Sequence, residues 1–217
     1  MDKRDEQFWD KIARKYAASP VGDEAGFDRT LARTLALFPP HARVLELGCG
    51  TGTAALRLAE GVDTYLATDI SANMISIADE KLETARQNGF NGPLSFRQAT
   101  LDTVSNESAR YNAVIGFNYL HLAGDLPTAL DHIRSLLLPG GLFISKTPCI
   151  GDMNPLIRLV IPLMRLVGKA PSVTTFSTES LLVSLKQAGF EVIANELHGS
   201  KKSDRRPFIA ARAPSGD

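Results

Sequence analysis

Arg43-Val44-Leu45-Glu46-Leu47-Gly48-Cys49-Gly50-Thr51-Gly52 reads as a short buried strand running into a glycine cluster. Glycine tolerates positive φ and lets a ligand approach the backbone with no Cβ in the way, and residues 53–60 beyond the cluster look helical. The next strand, 64–68, ends at Asp69, where a ribose-binding carboxylate falls in doubly wound folds; its two oxygens can accept hydrogen bonds from both ribose hydroxyls. The spacing is Gly-x-Gly-x-Gly, and no Lys-Ser/Thr pair follows as a phosphate loop requires. Glu46 and Asp69 set two acids beside the turn, which would repel a pyrophosphate and favour a nucleoside carrying an ammonium and a sulfonium.

Helices are predicted over 5–17 and 24–37, separated by Ser19-Pro20-Val21-Gly22 and closed by Pro39-Pro40. Downstream, a helix over 72–88 and strands over 94–98 and 112–117 precede a helix over 125–138. A strand over 142–147 follows Pro139-Gly140-Gly141. Strands separated by helical crossovers imply a parallel α/β sheet with helices on both faces. The end differs: an apolar segment over 154–168, a helix over 177–188 and strands over 190–197 and 207–212, the last two joined by a hairpin-length link that makes the final strand antiparallel.

The length of 217 residues suits one compact unit, and 44% hydrophobic against 22% charged residues excludes a disordered chain. With 24 basic and 24 acidic residues, no global field draws in nucleic acid, and no base-flipping Asn-Pro-Pro-Tyr motif is present. Two cysteines, Cys49 and Cys149, suit a reducing compartment, so the cytoplasm is the expected location. The charged N-terminus lacks the apolar core of a secretory signal there, and the run from Pro155 to Val167, broken by Arg158, Pro162 and Arg165, is too short to span a bilayer. No His/Cys cluster has metal spacing, so no metal is expected.

From about residue 8 to 148 the chain resembles the class I S-adenosylmethionine-dependent methyltransferases, and within them is similar to the small-molecule ubiquinone/menaquinone C-methyltransferases. Phe117-Asn118-Tyr119-Leu120-His121 matches the family's fourth-strand motif, and Leu137-Leu138-Pro139-Gly140-Gly141 its turn before the fifth strand. The resemblance implies a seven-stranded, mainly parallel sheet in the order 3-2-1-4-5-7-6, a helical lid over 1–40, a cofactor-binding domain over 41–217 and a substrate-rim insertion over 149–176. It implies S-adenosylmethionine as cofactor, with Glu46, Gly48, Cys49, Gly50 and Gly52 at its methionine end, Asp69 at the ribose, and Ile70 and Met74 beside the adenine. Asn118 joins the cofactor set through the fourth-strand motif. Where the family often has an acid after the third strand, this chain has Ala99; adenine is then held by backbone near Ala99, Thr100 and Leu101, or Asp102 reaches in.

Methyl transfer from a sulfonium is an in-line displacement with a good leaving group, so the protein mainly aligns the nucleophile and excludes water. His121 follows the fourth strand at the edge where the methyl group should lie, and is the candidate base; packing or capping a helix is its plainer role. Tyr16 resembles a lid tyrosine that closes over the cofactor, set against an amphipathic helix docked by Phe8 and Ile12. His41 and His132 read as structural or solvated, while His198 could reach the rim. Arg158, Arg165 and Lys169, with the basic tip Gly199–Arg206, suggest a greasy, basic-edged mouth for an amphiphilic small-molecule acceptor, with peripheral membrane contact open and oligomeric state unassigned. The competing functions are a nicotinamide-dependent oxidoreductase, disfavoured by the glycine spacing, and a non-catalytic S-adenosylmethionine-binding regulator.

Overall fold

The computed structural model describes residues 3–153, 156, 160, 164, 165, 168, 170–201, 204 and 206–215. Its strands are β1 (Arg43–Leu47), β2 (Thr64–Asp69), β3 (Leu94–Gln98), β4 (Tyr111–Phe117), β5 (Leu137–Lys146), β6 (Glu191–Leu197) and β7 (Pro207–Arg212). They form one seven-stranded sheet in the order β3-β2-β1-β4-β5-β7-β6. β7 runs antiparallel to both β5 and β6, and the other pairings are parallel. Both the order and the reversed last strand are those expected. The chain leaves β1 in one direction and returns to its other side as β4, so a crevice opens beyond the carboxyl ends of these two neighbours.

The helices are α1 (Lys3–Ala17), α2 (Glu24–Leu37), α3 (Thr53–Leu58), α4 (Ala72–Gln87), α5 (Leu101–Ser105), α6 (Leu126–Leu136) and α7 (Thr178–Gln187). Alternation along each strand divides the core between the two sheet faces. Leu45, Leu47, Val114, Phe143 and Ile209 pack with Leu130 and Ile133 of α6 and Leu181 and Leu185 of α7. Val44, Tyr65, Ala113, Ile115, Ile144 and Phe208 pack on the opposite face with Leu31, Ala55, Leu58 and Leu82. Each buried Leu, Ile or Phe contributes about 1.5–3 kcal/mol through lost apolar surface.

Several boundaries differ from expectation. α6 stops at Leu136 and β5 begins at Leu137, because Leu137 pairs with Tyr111 before the register shift, a long-range partner that local sequence does not reveal. Pro139, Gly140 and Gly141 therefore lie inside β5 rather than ahead of it. The short helix α5 was not anticipated; Thr100 caps it by accepting from the Thr103 N–H.

The leader helices dock on the same edge as the crevice. On α1, Ala13 is buried against Met74 and Ile77 of α4, with Trp9 and Ala17 beside it. The docking residues are thus Trp9, Ala13 and Ala17, one helical stripe, rather than Phe8 and Ile12. Asp10 fixes the register: its carboxylate accepts from the Ser71 hydroxyl and the Asn73 N–H at the start of α4.

Candidate active site

Beyond β1 the backbone turns through three left-handed glycines, with φ of +66° at Gly48, +54° at Gly50 and +75° at Gly52. Space as well as φ demands glycine here. A Cβ on Gly48 would stand 2.6 Å from the Tyr119 ring, and one on Gly52 2.5 Å from that of Phe96. At Gly50 the nearest group is the Tyr16 ring at 3.6 Å, so the α1 tyrosine lies over the turn. Gly52 then serves as the N-cap residue of α3.

Two carboxyl groups stand beside this turn. Asp69 accepts from the backbone N–H groups of Gly50 and Ser71, each at 2.9 Å. Burial raises its pKa, and these N–H donors partly offset the effect. Glu46, 2% exposed, accepts a 2.7 Å hydrogen bond from the Tyr65 hydroxyl. Burial pushes it up to about 7 against the pull of the tyrosine, and the nearby Asp69 adds to the rise.

A cavity of about 930 Å³ opens over the turn. Its wall includes Tyr16, Glu46, Gly48, Cys49, Gly50 and Asn118 from the expected set. Gly52, Asp69, Ile70, Met74, Ala99 and His121 are not on that wall. Asp69 stands behind Gly50, and Met74 is packed under α1. Thr100 and Leu101 line a separate 230 Å³ cavity with Asp102, Tyr119 and His132. Asp102 does not reach the main cavity; its Oδ1 lies 3.2 Å from His132 Nδ1 across α5 and α6.

His121 sits in a 3-10 turn after β4, half-buried, with Nδ1 3.0 Å from the Thr147 hydroxyl. Burial pushes its imidazole down to about 4, so it is neutral at pH 7. His198 does not reach the rim. It is buried, stacked on Phe208 at 4.6 Å, with Nδ1 3.2 Å from Thr30 Oγ1 and Nε2 2.9 Å from Glu196. His41 is solvated beside Asp63, as expected. Of the expected basic rim, Arg158, Lys169, Lys202 and Arg205 lie outside the described residues.

The opposite wall of the cavity joins Phe27, Thr30 and Lys146, which sequence reasoning missed, to Phe117 of the fourth-strand motif and two residues of the expected basic tip. Phe27 and Thr30 come from α2, Phe117 and Lys146 from the ends of β4 and β5, and Asp204 and Arg206 from the β6–β7 link. Arg206 grips Asp204 with two 2.7 Å bonds and donates to Asn118 Oδ1 at 3.2 Å. The signal for Lys146 was a lone cation closing the apolar run Leu142-Phe143-Ile144-Ser145.

With this geometry in view, comparison with known proteins assigns the family. A family model described as "Methyltransferase domain" matches residues 13–195. The chain belongs to that family. The methyltransferase is 31% identical over 144 residues to the highly reducing polyketide synthase lcsB of Purpureocillium lilacinum; the match covers 59% of this chain and 5% of that protein. The chain thus spans only a few per cent of the length of the synthases it matches. Among solved structures it superimposes on magnesium protoporphyrin IX methyltransferase ChlM of Synechocystis PCC 6803, crystallised with S-adenosylhomocysteine, with TM-score 0.69 and 17% identity over 96% of this chain and 95% of that one. A carbon methyltransferase, CurJ, aligns with TM-score 0.63 and 24% identity over 85% of this chain and 52% of that one.

The residues present suit the cofactor. A side chain at Gly48 or Gly52 would collide within the turn, and the two carboxyl groups match a ligand that is cationic at one end. Among the described residues no helix is long and apolar enough to cross a membrane.

Proposed function

We propose that this methyltransferase transfers a methyl group to a small, amphiphilic acceptor; His121, the expected base, stands off the cavity wall and is not assigned that role. One observation carries the reading: a single cavity joins the glycine turn to a wall containing Phe27, Phe117, Val21 and Met153, so cofactor and apolar acceptor share one chamber. When bound, S-adenosylmethionine supplies an electrophilic methyl group. The chain's own residues do the rest. Glu46, Gly48, Cys49, Gly50 and Asn118 on the cavity wall would hold the cofactor, Asp69 would support the turn from behind Gly50, and Tyr16 of the lid formed by residues 1–40 would exclude water from above the turn.

His121 is neutral and therefore able to accept a proton. Its Nδ1 meets the Thr147 hydroxyl at 3.0 Å, away from the cavity wall, and a hydroxyl, which both donates and accepts, fixes neither tautomer. The similarity to polyketide synthases and to a carbon methyltransferase favours a carbon acid or hydroxyl over an amine. Free, buried Cys49 and Cys149 support a cytoplasmic location. Exposed Leu156, Val160 and Met164, four residues apart, support peripheral contact with a membrane; no pelleting with anionic vesicles at low salt removes that part.

The test is release of S-adenosylhomocysteine across a panel of small carbon acids, phenols and amines. Turnover on an apolar carbon acid or phenol that persists in His121→Ala, with cofactor affinity kept, supports the reading. Cofactor binding without turnover on any acceptor marks a regulator instead.

A further inference from the structure

Lys146 closes β5 on the cavity wall, yet its residue is only 8% exposed. Among the described residues its ammonium makes one hydrogen bond, 3.2 Å to Thr30 Oγ1, and its nearest carboxylate oxygen, on Asp204, stands 4.0 Å away. Asp204 is already taken: both its oxygens are held by Arg206. The charges felt by Lys146 are Asp204 and Asp23 on one side and Arg206 and Arg29 on the other, so two carboxylates are shared among three cations. Asp23 is in turn committed to the N–H groups of Gly26 and Ser200. Lys201, also on the cavity wall, adds a further positive charge.

A buried ammonium with one long hydrogen bond to a neutral hydroxyl is desolvated with little compensation from the fold. An anion reaching it from the cavity would supply the partner that neither Thr30 nor Asp204 fully provides. Arg206 can turn to the same anion, since its Asp204 and Asn118 bonds use three of its five N–H groups. Phe27 and Phe117 flank the cavity on this side, so the anion is attached to an apolar body.

We propose that Lys146 and Arg206 form an oxyanion seat that selects an acidic acceptor, one whose apolar body ends in a carboxylate or a phosphate monoester. The proposal rests on the acceptor reading above and narrows it to acids.

The experiment is calorimetric titration of protein preloaded with S-adenosylhomocysteine, using decanoate, decyl phosphate and decanol as probes. Decanoate or decyl phosphate should bind at least about tenfold more tightly than decanol, the ratio expected for one charge-assisted hydrogen bond, and whichever acid binds better identifies the headgroup. In Lys146→Met the advantage should vanish while S-adenosylhomocysteine affinity stays at the wild-type value, which also reports that the variant is folded. Arg206→Gln should reduce the advantage, and Lys146→Arg should retain most of it. Equal binding of acid and alcohol, no binding of any probe, or an acid preference that survives Lys146→Met overturns the seat. Failure of the wild-type protein to bind S-adenosylhomocysteine is separate, and strikes the cofactor site instead.

Discussion

The two walls of the cavity solve opposite electrostatic problems with opposite means. On the side of β1 and β2, Glu46 on the wall and Asp69 behind it are acids whose pKa values burial raises, and among the described residues no cation pairs with them. On the wall from β5 and the β6–β7 link, Lys146 and Arg206 are cations sharing one carboxylate, and burial lowers the lysine. Tyr16 lies between them: burial raises its phenol, Asp69 and Glu46 add to the rise, and Arg206 opposes it. Each wall carries an excess of one sign that a ligand of the other sign would relieve. A cavity polarised this way orients two ligands before any specific contact forms.

Variants on one wall should therefore leave the other's ligand alone. The largest effect is expected beside the glycine turn, whereas His121→Ala, off the cavity wall, should leave turnover and cofactor affinity unchanged. On the acidic side, Asp69→Ala should weaken S-adenosylmethionine binding by about a hundredfold, as expected for loss of charge-assisted hydrogen bonds, with Asp69→Asn in between. Unaltered affinity in that titration would remove the carboxylate from the cofactor site.

Gly52→Ala tests the turn. Its positive φ and the Phe96 ring 2.5 Å from the added Cβ should cost about 2 kcal/mol or more, lowering Tm by roughly 4–8 °C in a thermal melt.

A pH dependence follows from Glu46. Its pKa is about 7 when folded against an ordinary 4.5, so the folded protein binds the extra proton between those values. Stability of the cofactor-free protein should then fall as pH rises from about 4.5 to about 7, the reverse of a salt-bridged carboxylate. Binding a cationic cofactor favours the ionised form, so titrations at pH 6 in buffers of different ionisation enthalpy should show proton release that Glu46→Gln abolishes.

Much of this was legible residue by residue. The Glu46–Gly52 turn, the acid at the end of β2 and the reversed final strand follow from local rules: glycine at positive φ, period-two apolar strands, and a link too short for a crossover. The reading faltered wherever a residue's role was set by a distant partner. Asp102 was a candidate for the adenine site, yet His132 on α6 lies across from it. His198 reads as able to reach the rim, yet Thr30 of α2 and Phe208 of β7 bury it.

From its linear order alone, the chain settles the alternation of strands and helices, the glycine turn and the acids beside it, because these depend on backbone sterics and on hydrophobic periodicity within a few residues. Which faces the two cavity walls present is another matter. Lys146, Thr30 and Arg206 come from β5, α2 and the β6–β7 link, and their charges act on one another only because the sheet order brings β5 and β7 side by side and the packing that buries them removes the water that would screen them.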